Sequence, residues 1–137
     1  MKRLIVITAV SALMSTAVLA DENMVYMDQI GDRNTFESVQ IGLDNTIADS
    51  RASAIQHGNR NEAYLKQRGS GNRISVAEQI GDSNEIRALQ RGYQNRLEYM
   101  QVGDANFAEI TQRGRQNRTA VFQEGNRNFA DIRQSRR

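Results

Sequence analysis

The chain has no cysteine, no proline, no tryptophan and a single histidine in 137 residues. Without Cys there is no disulfide framework, no thiolate metal site and no thiol nucleophile. One histidine, His57, leaves a histidine-ligated catalytic metal or a His-centred triad without support. Apolar residues are unevenly supplied: 14 of the 53 fall in residues 1–20, and 39 are spread over the 117 that follow. That is thin for a packed globule, yet the sequence is too regular for a disordered one.

The apolar N-terminal stretch reads as a targeting signal. Met1-Lys2-Arg3 gives a positive start, residues 4–14 are apolar apart from Thr8 and Ser11, and Val18-Leu19-Ala20 has the small-x-small form of a cleavage site. The run is short for the ~20 apolar residues of a membrane span, and Asp21-Glu22 follows directly. Residues 1–20 are therefore expected to be a cleaved secretory signal. The mature chain then starts near Asp21, outside the cytoplasm, with 16 basic and 16 acidic residues.

The rest is a repeat. Q-x-G-x-x-N occurs nine times, with its Gln at Gln29, Gln40, Gln56, Gln67, Gln79, Gln90, Gln101, Gln112 and Gln123. Its Gly is at Gly31, Gly42, Gly58, Gly69, Gly81, Gly92, Gly103, Gly114 and Gly125, and its Asn at Asn34, Asn45, Asn61, Asn72, Asn84, Asn95, Asn106, Asn117 and Asn128. A tenth copy begins at Gln134 and degenerates into Ser135-Arg136-Arg137. Successive Gln residues are 11 apart except for one step of 16 and one of 12. Motifs alternate in character, Q-(I/V)-G-D against Q-R-G, so the true unit is double: five repeats of about 22 residues starting near 24, 51, 74, 96 and 118. The long step is expected to be a loop within 46–51, and the single extra residue before Gln79 a β-bulge.

Between Asn and the next Gln the residues alternate: Phe36 and Ser38, Ala63 and Leu65, Ile86 and Ala88, Leu97 and Tyr99, Ala108 and Ile110 take the second and fourth places. Period two means a strand with Asn, these residues and Gln on one face. A helix would carry a Gly every eleven residues, at roughly 1 kcal/mol each. Strand–turn–strand units of this size predict an all-β, amyloid-like β-solenoid of five rungs, with two parallel in-register sheets. Equivalent residues then stack ~4.8 Å apart, and Gln on Gln and Asn on Asn form amide ladders that satisfy buried polar groups.

Q-x-G-x-x-N-x-φ-x-φ-x-Q in five double units behind a secretory signal resembles the curlin family, the subunits of curli, the extracellular amyloid fibres of bacterial biofilms. The resemblance implies a fibre subunit active in adhesion and matrix building. It implies passage through the periplasm and an outer-membrane secretion machinery to the cell surface, with self or the major curlin as partner. Motifs in both halves of each unit and an Arg-rich last unit resemble the minor, nucleating subunit, the major fibre subunit being the alternative. Only Asp21, Glu22 and Asn23 separate the signal from the first expected strand, 24–29, so the longer leader of well-known curlins is expected to be missing.

Polymerisation also follows from the residues themselves. Soluble solenoids cap their ends or blunt them with Pro, bulges or a covering helix; here strands are expected at both ends of the mature chain, and Pro is absent. A capped monomeric solenoid, such as an adhesin or ice-binding domain, is the remote alternative. Nothing suggests an enzyme, a metal or a cofactor: the acidic residues lie singly on outward positions, His57 falls in a turn, and Gly69-Ser70-Gly71 has no following helix to cradle a phosphate. Charge is unequal along the chain, with 9 basic and 13 acidic residues in 21–108 and 7 and 3 in 109–137. Arg68, Arg91 and Arg113 should stack on adjacent rungs; with Arg115, Arg118, Arg127, Arg133, Arg136 and Arg137 they are candidate contacts to anionic groups on a cell surface or matrix, the other reading being solvated, aggregation-slowing charges. Nucleic acid is not required.

Overall fold

The computed structural model describes residues 6–9, 12–19, 23–48 and 54–136, with side-chain surroundings for 23–48 and 54–136. Met1-Lys2-Arg3, Ala20, Asp21, Glu22, the expected unit boundary at residue 51 and Arg137 lie outside the described residues. Thirteen strands and no helix make up the described chain: β1 (Val6–Ala9), β2 (Ala12–Leu19), β3 (Met24–Ile30), β4 (Asn34–Ile41), β5 (Thr46–Ile47), β6 (Ala54–His57), β7 (Glu62–Ser70), β8 (Arg73–Ile80), β9 (Glu85–Tyr93), β10 (Arg96–Val102), β11 (Phe107–Arg115), β12 (Arg118–Glu124) and β13 (Phe129–Arg136).

The strands sort alternately into two sheets, as an 11-residue half-repeat with a reversal at each motif dictates. One has the order β1-β3-β5-β8-β10-β12, with β6 continuing the line of β5; the other runs β2-β4-β7-β9-β11-β13. The pairing is parallel and places equivalent residues over one another, Gln101 on Gln123 and Gln90 on Gln112 among them. The molecule is a β-solenoid of five motif-bearing rungs.

Each strand buries alternate side chains. One sheet stacks Val25, Ile47, Ile74, Leu97 and Thr119 in a column, and beside it Met27, Ala54, Ala77, Tyr99 and Val121. The other contributes Phe36, Ala63, Ile86 and Ala108, and Ser38, Leu65, Ala88 and Ile110. Large and small residues balance within a rung: completely buried Tyr99, whose burial pushes its phenol pKa up, shares its rung with Ala108.

Both irregularities are resolved. The second rung starts at Thr46–Ile47, paired with Met24–Val25, and resumes at Ala54–His57. The extra residues therefore interrupt this strand after Ile47, where the sequence reading had put Thr46 and Ile47 in the loop. Where β8 meets β10 the register slips between Leu97 and Glu98, leaving Ser75 as the bulged residue.

The N-terminal strands add a finding. β1 and β2 pair with β3 and β4, with Ala9 opposite Gln29 and Val18 opposite Gln40. The first strand expected from the sequence, 24–29, is thus preceded by two others.

Candidate functional site

The repeated turn is the unit from which the site is built. Gln, buried at the end of one strand, donates through Nε2 to the Oε1 of the Gln on the next rung: Gln40 to Gln67 at 2.8 Å, Gln67 to Gln90 at 2.8 Å, Gln90 to Gln112 at 2.8 Å and Gln112 to Gln134 at 3.2 Å. The other sheet repeats the pattern through Gln29, Gln56, Gln79, Gln101 and Gln123. The same Nε2 also donates to a backbone carbonyl across the base of the turn, as from Gln101 to Glu85 at 3.1 Å. Each Gln therefore ties rung to rung and sheet to sheet.

Asn does more than stack. Its Oδ1 accepts the backbone N–H of the Asn one rung on, as in Asn84 to Asn106 at 3.1 Å, and its Nδ2 donates to the next Gly carbonyl, as from Asn84 to Gly103 at 2.7 Å. Asn34, Asn45, Asn61, Asn72 and Asn95 make the same pairs. The glycines are fixed by contact as well as by conformation: a Cβ on Gly92 would lie 2.0 Å from the Gly114 carbonyl oxygen, with φ at +122°.

Three features were missed in the sequence. The residue before Asn is also left-handed, in Arg33, Asp44, Arg60, Ser83, Gln94, Ala105, Gln116 and Arg127 alike; the Gly that fits no motif position, Gly71, occupies this slot with φ +64°. The fourth motif residue forms a further ladder, Asn59 N–H donating to Asp82 at 2.7 Å and Asp82 N–H to Asp104 at 2.9 Å. And Arg73, Arg96 and Arg118 stand in register in a second Arg column, visible in the sequence as the residue after the Asn of alternate motifs.

The ladders end differently at the two faces of the stack. At the first rung, Gln29 Oε1 and Gln40 Oε1 are buried and, among the described residues, have no hydrogen-bond partner. At the last, β12 and β13 end the two sheets, Gln123 and Gln134 retain their inward bonds to Phe107 and Arg118, and Phe122 and Phe129 stand 63% and 72% exposed. Phe129 stacks on Phe107, ring centres 5.4 Å apart.

The Arg residues do not form one cluster. Arg68, Arg91 and Arg113 stack in register, with Arg115 at the adjoining turn. Arg127 lies on the opposite turn edge, after Gly125. Arg133 is on a sheet face, 3.1 Å from Asp131, and Arg136 sits opposite Gly114, in the glycine column. Two titrations shift on the sheet faces: the Arg96 guanidinium hydrogen-bonded to Glu98 holds its carboxyl below the usual range, and desolvation with neighbouring Glu62 pushes the Tyr64 phenol up. His57 is exposed, and among the described residues no group of three or more His, Asp or Glu is arranged to hold a metal ion.

Residues 48–77 and 103–135 match the family model of the curlin associated repeat. No curated protein and no solved structure matches the chain. The chain thus carries two stretches similar to the curlin associated repeat on a β-solenoid frame.

Proposed function

We propose that this chain is a secreted structural subunit of an extracellular curli-type amyloid fibre, and the minor subunit that nucleates it. The observation that carries the reading is the complementarity of the ladder ends. Every Gln donates Nε2 toward the next rung and accepts at Oε1 from the previous one, so the first rung offers unfilled acceptors at Gln29 and Gln40, and the last offers amide groups at Gln123 and Gln134. A second copy, or the major curlin, stacked on either face continues both ladders and pairs the open strand edges. Residues 1–20 act as the secretory signal; their removal opens the first rung. A fibre of stacked rungs has no use for a catalytic centre, and the curlin repeat belongs to a structural family rather than to an enzyme family.

The nucleating role is favoured over bulk polymerisation by the last rung. Arg136 stands where every other rung has Gly, and a Cβ in this column meets the carbonyl of the rung that follows, as one on Gly92 would meet Gly114 at 2.0 Å, so this face is a poorer template than the first. Cell-surface and matrix anions are the further partners.

The test is seeding. Mature chain from residue 21 is followed alone and mixed with a major curlin, by amyloid-dye fluorescence and fibre diffraction. We expect a meridional spacing near ~4.8 Å and a shortened lag for the partner at substoichiometric amounts. A stable, dye-negative monomer overturns the fibre reading; fast self-assembly without seeding of the partner transfers the chain to the major role.

A further inference from the structure

Charge on this molecule separates across its width, not only along its length. The turns stack into two edges. On the edge leading from β4, β7, β9 and β11 into the other sheet, Arg68, Arg91 and Arg113 form a column where the chain enters the turn. Arg73, Arg96 and Arg118 form a second column where it leaves. All six are exposed; Arg115 adds a charge between the columns, and Asp44, in the first rung's turn, is the one described carboxylate among these turns. The opposite edge carries Asp32, Asp82, Asp104 and Glu124, with Arg33, Arg60 and Arg127 among them. Arg96 has Glu98 as an ion-pair partner, but no described carboxylate pairs with Arg68, Arg91, Arg113 or Arg115.

Like charges one rung apart, ~4.8 Å, repel, and in-register stacking holds their backbones at that spacing however the exposed side chains splay. A counter-chain with its own anions in a row relieves that repulsion along the whole edge. The edge is straight, so the counter-chain must be extended. Duplex nucleic acid fits poorly, because its phosphates wind around an axis. Single-stranded nucleic acid needs a series of aromatic platforms, and Tyr93 is the one aromatic on this edge among the described residues. We propose that the double Arg row binds an extended acidic polysaccharide, one row of carboxylates lying along one side of the solenoid. The row is present in a single chain and lengthens when copies stack, so it does not depend on which role the subunit has in a fibre.

The test uses mature chain and fluorescent polygalacturonate, read by anisotropy at low salt, with dextran as neutral control. R68Q/R91Q/R113Q and R73Q/R96Q/R118Q should each weaken binding about tenfold or more, and added salt should weaken it further. R33Q/R60Q/R127Q, removing equal charge from the opposite edge, should stay within about twofold. Circular dichroism checks that each triple variant folds, and single Arg91→Gln and Arg96→Gln variants decide the matter if a triple does not. Equal losses from both edges, or duplex DNA of matched charge competing as well as polygalacturonate, would overturn the proposal. A chain that binds polygalacturonate but never assembles would instead defeat the fibre reading and leave this one standing.

Discussion

At the scale of single residues, the turn works because two of its positions are left-handed and only one of them demands glycine. Gly92 is held by φ +122° and by a neighbouring carbonyl that a Cβ would approach to 2.0 Å, whereas at Gly71 the nearest atom is the Gln94 Cγ at 3.3 Å. Gly71→Ala should therefore cost only the left-handed penalty, ~1–2 kcal/mol, since Gln94 and Ala105 already bear it in the same slot. Gly92→Ala should cost several times more and break the stacking of neighbouring rungs. Circular dichroism melts of the mature chain, compared side by side, check the order; equal losses would mean that inter-rung contact does not select the glycine. The Gln ladder supports a second comparison. Gln90→Ala removes a donor and an acceptor from a fully buried column, leaving partners unsatisfied at roughly 1–3 kcal/mol each, while Glu109→Ala on the outer face should fall within about 0.5 kcal/mol. A third concerns pH. Glu98 has a depressed pKa because Arg96 hydrogen-bonds to it, so its contribution is complete above the unfolded glutamate range near ~4.3 and fades as pH falls through the lower folded value. NMR titration of Glu98 in the presence and absence of Arg96→Gln should show the pKa returning upward in the variant.

At the scale of strands and turns, the alternation made the fold legible. Seven short stretches of period two, each opened by Asn and closed by Gln, define which face is buried, because a one-residue slip would turn every Gln outward. The bulge was legible as a 12-residue step, which Ser75 supplies. The Arg68, Arg91 and Arg113 column was legible in the sequence; that Arg73, Arg96 and Arg118 line the same edge was not drawn from it. Arg113 and Arg127 are near in the chain but lie on opposite turns, while Arg68 and Arg118 are far apart and lie on the same one; only the alternation of the two sheets separates them. The left-handed slot before Asn was also hidden, because Arg, Asp, Ser, Gln and Ala occupy it without a shared chemistry. The interrupted second rung gives the prediction at this scale. Deleting residues 49–53 joins Ala48 to Ala54 and restores the usual spacing, with Ile47 and Ala54 in the inward places and Gln56 six residues after Asn45. The deletion should preserve the fold and give a continuous strand between β3 and β8, because Ile47 and Ala54 already pair with both. Hydrogen exchange should show added protection at Ile47 and Ala54; loss of protection at Gln56 would mean that the inserted residues carry structure the rung needs.

At the scale of the whole molecule, growth of the proposed fibre depends on which face is open, and in the full chain the first face is occupied. β1 and β2 lie in register on β3 and β4, where the last rung of another copy would otherwise lie. They satisfy the backbone edge and set Ala9 opposite Gln29 and Val18 opposite Gln40; among the described residues, Gln29 Oε1 and Gln40 Oε1 are buried without a donor. Each such acceptor costs roughly 1–3 kcal/mol, a penalty that a rung carrying Gln in both columns would remove. The N-terminal segment is thus a rung in backbone that carries no Gln at either column position, able to block the face and favourable to replace. Full-length chain, purified without removal of residues 1–20, should assemble with a lag several-fold longer than mature chain at equal concentration. Cleavage added midway through that lag should start growth without a fresh nucleation delay. Preformed fibres of mature chain should shorten the lag of mature chain more than that of full-length chain, because in the full-length chain only the last rung is open. Identical lags for the two forms would mean that β1 and β2 do not hold the first rung closed, and that the unfilled Gln acceptors exert no control over assembly.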